Sequence, residues 1–200
     1  MSIRRRVTVR AIVAMSALAI ASLALGADIG GVQFPDRVRV TPDSPELMLN
    51  GAGERWMLLF KIYAIGLYLP QRKSTMDDML AMDGPKRLLL VMQRDLTGRQ
   101  VHDYLLQRIQ DQNQASEMSV LKKQMDDLDR IIDAVGMIRT SGTIALDWVP
   151  GKGTVIRVND VVRGAPIPGG DFYHALLRIW LSERAKSLPL RDALLGKNTG

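Results

Sequence analysis

The chain has 200 residues, of which 46% are apolar, with no cysteine and a formal charge of +6. That length and composition describe one domain with one core, and exclude a membrane-embedded or disordered body. Four arginines and no acid stand in the first 26 residues, so residues 27–200 carry only +2, and nucleic-acid binding loses its electrostatic basis.

The N-terminus is a separate object. "MSIRRRVTVR" is basic, "AIVAMSALAIASLAL" is continuously apolar, and "ALGA" ends the run with small residues. That is the order of a secretory signal peptide, cleaved after Gly26 to leave a chain that starts at Ala27. The alternative, an uncleaved anchor, needs about 20 apolar residues, more than the run supplies. The expected location is a bacterial periplasm, which a chain without cysteine tolerates. The reading thus divides the chain into residues 1–26 as a signal and 27–200 as one domain.

Residues 30–45 are rich in Gly, Pro and Asp around "VRV" and read as an edge strand and a connection. "ELMLNGAGERWML" reads as strand with "NGAG" as a glycine-rich break. "FKIYAIGLYLP" is the most apolar strand and stops at Pro70. "STMDDMLAM" reads as a short helix capped by Ser74, and "KRLLLVMQRDL" as another strand. From Thr97 the period changes from 2 to 3.6, with Val101, Leu105 and Ile109 on one face and a capping box formed by Thr97 and Gln100. A second helix is expected from about Ser116 to Val135, with Gly136 as its stop. "TIALDWVPGKGTVIRVND" is a hairpin, "VVRGAPIPGG" its continuation, "DFYHALLRIWLSERA" an amphipathic helix and "PLRDALLG" a last capped turn. Runs of neighbouring strands favour an antiparallel α+β fold over a doubly wound one.

Most chemical motifs fail on inspection. His102 and His174 have no partner at metal-ligand spacing. "GKGT" at Gly151 lacks the upstream glycine and the following helix of a phosphate loop. The carboxylates of Asp126, Asp127, Asp129 and Asp133 lie on a helix without the loop glycine of a calcium site. No cofactor is expected. What remains is Arg55 with Tyr63, an arginine and a phenol beside the most apolar strand. Converging at the mouth of an apolar cavity, they would hold a carboxylate, the guanidinium as a two-pronged donor and the phenol as a neutral one. The tail of an amphiphile would be buried at roughly 0.8 kcal/mol per methylene. Eight residues separate the two. On a fully extended chain they would stand roughly 26 Å apart, so they share a site only if the chain reverses or bulges between Met57 and Leu59. Arg94, in "QRDL", is the second candidate cation.

The segments "NGAGERW…FKIYAIGLYLP", "RDLTGRQVHDYL" and "VPGKGTVIRVNDVVRGAPIPGGDFYHALLRIWL…LPLRDALLG" resemble, in order and spacing, the bacterial exported branch of the chalcone isomerase-like family, from about Val32 to Gly196. The resemblance implies an open-faced β-sandwich, a large antiparallel sheet with helices on one face and a ligand cleft between them. In the isomerases of that family an arginine after "GAG" steers the substrate phenolate, and Arg55 matches it. Their strand threonine falls on Tyr63, the tyrosine after "LTG" on Val101, the helix asparagine on Arg108 and the late-helix threonine on Ile179. Loss of oriented donors around a reacting ketone removes on the order of 10²-fold or more each, so chalcone cyclisation is not expected. The fatty-acid-binding members resemble this chain in pairing the arginine with a tyrosine. The resemblance therefore implies a non-enzymatic protein for a fatty acid or similar apolar carboxylate, with Arg55, Tyr63, Val101, Arg108 and Ile179 around the ligand and Arg94 in reserve as the cation. Two alternatives stand beside it. One is an isomerase or lyase for another substrate, with Tyr63, His102 or Tyr104 as acid or base. The other is a ligand-free scaffold whose cleft is filled by some of the eleven methionines.

Overall fold

The computed structural model describes residues 26–197. The reading of residues 1–26 as an export signal therefore falls, apart from Gly26, outside the described residues. In chain order the elements are β1 (Ala27–Ile29), β2 (Val32–Phe34), β3 (Arg37–Val38), β4 (Leu47–Met57), β5 (Phe60–Leu69), α1 (Met76–Ala81), β6 (Lys86–Met92), β7 (Leu96–Thr97), α2 (Gly98–Gln112), α3 (Ala115–Asp133), β8 (Met137–Ile138), β9 (Thr143–Val149), β10 (Gly153–Val158), β11 (Val161–Ile167), α4 (Gly170–Leu181) and α5 (Leu188–Leu194). Seven strands form one antiparallel sheet in the order β11-β10-β9-β6-β5-β4-β3, and β1 with β2 and β7 with β8 make two small ribbons. The fold is mixed α+β: a curled antiparallel sheet with helices, the fold class expected from the sequence.

The period of two along the central strands sorts their side chains between two layers. Tyr63, Ile65, Leu67 and Leu69 of β5, with Leu88, Leu90 and Met92 of β6, join the main core, to which α2, α3 and α4 contribute Leu105, Leu128 and Leu176. The alternate residues Ala64 and Tyr68 turn to the other face, where Phe34 and Leu47 cover them and Leu89 and Val91 pack alongside. Among the described residues no helix is long and apolar enough to cross a membrane.

Four local expectations need correction. "NGAG" does not break the strand, because β4 runs through it. Its glycines instead make room for α5: a Cβ on Gly51 would lie 2.0 Å from the Ala193 carbonyl oxygen, and one on Gly53 2.8 Å from a Leu190 methyl. Asn50, at a register shift in β4, donates to the carbonyls of Lys73 and Leu194 and accepts from the Lys73 N–H, which ties the strand to α5. The cap of α1 is Thr75 rather than Ser74, its hydroxyl accepting from the Asp78 N–H. The α3 helix closes on Ala134 rather than on Gly136. "VVRGAPI" is a full edge strand, β11, where Pro166 is tolerated because it stands on the sheet's last strand. The capping box at Thr97 and Gln100 forms as read, each side chain bonding the other's backbone N–H.

Candidate functional site

The distance between Arg55 and Tyr63 is closed by a chain reversal. Strands β4 and β5 form a hairpin in which Met57 faces Phe60 and Arg55 directly faces Tyr63, with a register shift between Arg55 and Trp56. The two-residue turn, Leu58-Leu59, contains no residue of ordinary turn chemistry. Leu58 adopts φ +56°, a left-handed conformation that glycine or asparagine enters at less cost. Directly opposed residues on an antiparallel pair have Cβ atoms about 4.5–5.5 Å apart, so the guanidinium and the phenol leave the sheet side by side on the helix-covered face.

There they border a cavity of about 320 Å³, near the lower end of the roughly 300–1,000 Å³ usual for small-molecule sites. Its floor is the sheet, through Ile62, Leu90, Met92, Ile144 and Leu146, and its roof is the start of α2, through Val101, Tyr104 and Leu105. Met57 and Met92 lie on the wall yet leave the space open, contrary to a cleft filled by methionine. Besides the two tyrosines, the polar side chains on its lining are Arg55, Arg94, Asp95 and Gln100. Among the described residues neither arginine has a carboxylate within 4.0 Å; the Arg94 guanidinium stands 5.6 Å from the centre of the Phe60 ring. Asp95 is occupied elsewhere. Its carboxylate accepts from the Thr140 N–H at 2.8 Å, the Thr140 hydroxyl at 3.0 Å and Arg139 at 2.9 Å. The Thr140 N–H above all, with Arg139, holds it below the ordinary carboxylate range.

Tyr63 is buried, and its hydroxyl is held from behind. Trp180 Nε1, on α4, donates to it at 2.8 Å, and the Tyr104 hydroxyl lies 3.3 Å away. Because the Tyr63 oxygen already accepts from an indole N–H, its own proton is free to point toward Tyr104 or the cavity. Burial pushes the phenol well above its ordinary pKa, the Tyr104 hydroxyl adds to the shift, and Trp180 and Arg55 pull against it. Tyr63 therefore keeps its proton and is neutral.

The other expected positions separate. Val101 lines the cavity. Arg108 does not: it is buried over the Tyr104 ring, 5.8 Å from its centre, and bonds Asp111 at 2.9 Å. Ile179 is likewise off the main wall, facing a hollow of about 10 Å³ that it shares with Arg55, Tyr104 and Trp180. His102 also lies away from the cavity, with Asp103 3.1 Å from Nδ1 and Asp129 3.3 Å from Nε2. Trp180 was not foreseen, although its signal was present: an indole N–H on the buried face of an apolar helix needs an acceptor. Among the described residues no group of three or more His, Asp or Glu is placed to hold a metal ion.

The sequence profile of the chalcone isomerase-like family matches residues 26–196. The chain belongs to the chalcone isomerase-like family. Its fold is similar to that of a fatty-acid binding protein from Arabidopsis thaliana, with a TM-score of 0.60 over 82% of this chain and 92% of that one. At 20% identity the likeness is one of fold. Comparison with curated protein sequences returns no match.

Proposed function

We propose that the protein is a non-catalytic binder of a fatty acid or similarly shaped apolar carboxylate, acting in the periplasm after removal of residues 1–26. The observation that carries the reading is the pairing of an apolar cavity with two guanidiniums, Arg55 and Arg94, that no described carboxylate claims. An anionic head group meets both, and the neutral Tyr63 hydroxyl, aimed by Trp180, supplies a further donor. The tail lies against Ile62, Leu90, Val101, Leu105, Ile144 and Leu146. The family membership and the fold shared with a fatty-acid binding protein support the same assignment. An isomerase or lyase reading has less to work with, because His102 points away from the cavity and Tyr63 is held neutral.

Native mass spectrometry of the protein purified from its own host tests the proposal. The expected spectrum carries an adduct of one long-chain carboxylic acid, lost on delipidation and regained when the acid is added back. Protein that emerges free of ligand and fails to take up any acid of 12 to 18 carbons contradicts it.

A further inference from the structure

The hairpin that brings Arg55 to Tyr63 ends in five consecutive large apolar residues, Trp56, Met57, Leu58, Leu59 and Phe60. All five are exposed, Leu58 at 90% and Leu59 at 87%. They make up half of the ten large apolar side chains left exposed among the described residues, and Val161 and Val162, which follow the β10–β11 turn, stand at the same end of the sheet. Isolated surface leucines need no explanation, but a contiguous run does. This one is unfavourable in water twice over, since the turn also forces Leu58 into a left-handed conformation where glycine or asparagine would relieve both the strain and the exposure.

Cations surround the tip. Lys61 Nζ stands 5.2 Å from the centre of the Trp56 ring, and Arg94 5.6 Å from that of Phe60. Lys61 is balanced by Glu54 at 2.8 Å, whereas Arg55 and Arg94 have no such partner among the described residues. A projecting apolar tip, a tryptophan at its shoulder and unbalanced cations behind it match the layering of an anionic lipid surface: hydrocarbon, interfacial aromatic belt, then charged head groups. A protein partner would have to supply a groove for a convex loop, and nothing in the charge pattern selects one. The position has a consequence as well, because Met57, Arg55 and Arg94 belong to both the tip and the cavity mouth.

We infer that the β4–β5 hairpin inserts Trp56, Leu58, Leu59 and Phe60 into the surface of a bilayer containing anionic lipid, so that the cavity mouth opens at the membrane interface. The tip's exposure does not depend on what the cavity holds, so this inference survives or fails separately from the assignment of an acid ligand.

The test uses the protein as purified from its own host, with vesicles of phosphatidylglycerol and phosphatidylethanolamine, with and without brominated acyl chains. Residues 1–26 contain an apolar run but no tryptophan, so quenching by bromine reports on the folded domain, whose tryptophans are Trp56, Trp148 and Trp180. Brominated vesicles should quench the emission, Trp56→Phe should remove most of that quenching, and added salt or replacement of the anionic lipid by phosphatidylcholine should weaken it. Leu58→Asp/Leu59→Asp, which alters only solvent-facing side chains, should lower the partition of the tip by at least about tenfold while fatty-acid uptake from solution stays unchanged. Quenching that persists in Trp56→Phe, or an unchanged partition in the double variant, overturns the inference. So does a concentration-dependent dimer that the double variant dissolves without any effect of lipid, since a second copy would then cover the tip. Should the double variant misfold, the wild-type quenching and its loss in Trp56→Phe decide alone.

Discussion

The two faces of the sheet use the same residue types to opposite ends. On the face away from the helices, Arg87 and Arg157 close on Asp147: Arg87 holds the carboxylate through two bonds of 2.6 and 2.7 Å, Arg157 adds one at 3.3 Å, and Asp147 is fully buried. Tyr68 lies on the same face. On the helix face, five residues earlier on the same strand, Tyr63 stands beside Arg55 with Arg94 nearby, and no described acid answers either arginine. A guanidinium that has a carboxylate is a fastener; on the proposed function, one that borders an apolar cavity without a described carboxylate would receive one from the ligand. The difference locates the site more firmly than the size of the cavity does.

The largest effect should come from breaking the fastener. Asp147→Asn leaves Arg87 half-buried without its counter-charge, and removing one partner of a buried pair costs about 3–5 kcal/mol. The denaturant midpoint should fall accordingly, while the protein that remains folded binds acid as before. The cavity face predicts the reverse. Arg55→Ala should leave the unfolding midpoint nearly unchanged and weaken fatty-acid binding by roughly tenfold to a hundredfold, the equivalent of a charge-assisted bond of about 1.5–3 kcal/mol. Isothermal titration beside chemical denaturation separates the two signatures. A variant at Arg55 that lost stability but kept affinity would assign it to the fastener class.

Tyr63→Phe falls between these cases. It removes a neutral donor, so affinity should drop by roughly tenfold at most. It also strips the buried Trp180 N–H of its acceptor, at about 1–3 kcal/mol of stability. Sequence reasoning sees only a phenol whose ring packing survives the change; the indole bond makes the substitution costlier to the fold. Trp180→Phe, made with Tyr63→Phe, should recover part of that loss in a double-mutant cycle.

The smallest effect concerns the base of the hairpin. Glu54 accepts from Lys61 at 2.8 Å, Gln93 at 2.7 Å and Trp56 Nε1 at 3.1 Å. Burial raises its pKa, but these three bonds outweigh burial and leave it below 4.5. A depressed folded value means that the contribution is present above pH 4.5 and is lost as pH falls through the lower folded value. Glu54→Gln should therefore cost a few tenths to about 1 kcal/mol at pH 7, a cost that shrinks as the pH falls below 4.5, read as the gap between the two denaturation midpoints.

Much of this was legible in the sequence, for identifiable reasons. The two periods separated strands from helices, and the Thr97 box placed the start of α2 to the residue. Order and spacing of the three quoted segments pointed to the family and so to the cleft. The hairpin was not legible, because Leu58-Leu59 contradicts turn chemistry and only the packed sheet forces the reversal. The glycines at 51 and 53 read as punctuation when their role is to admit α5, a contact across some 140 residues of chain. β11 was hidden by its Gly and Pro, tolerated at a sheet edge. Arg108 and Ile179 show the limit of carrying positions over from relatives: neither lines the cavity, the one stacking over Tyr104 and bonding Asp111, the other facing a small hollow beside Trp180.

On the proposed function, the unclaimed guanidiniums at the mouth of the apolar cavity select a carboxylate. The direct measurement is a paired titration of the wild type and Arg55→Ala/Arg94→Ala with a 16-carbon acid and the alcohol of the same length. The wild type should prefer the acid by at least about tenfold, and the double variant should bind both ligands alike, at the affinity the wild type has for the alcohol. Equal binding of acid and alcohol by the wild type, or an acid preference that survives in the double variant, would contradict it.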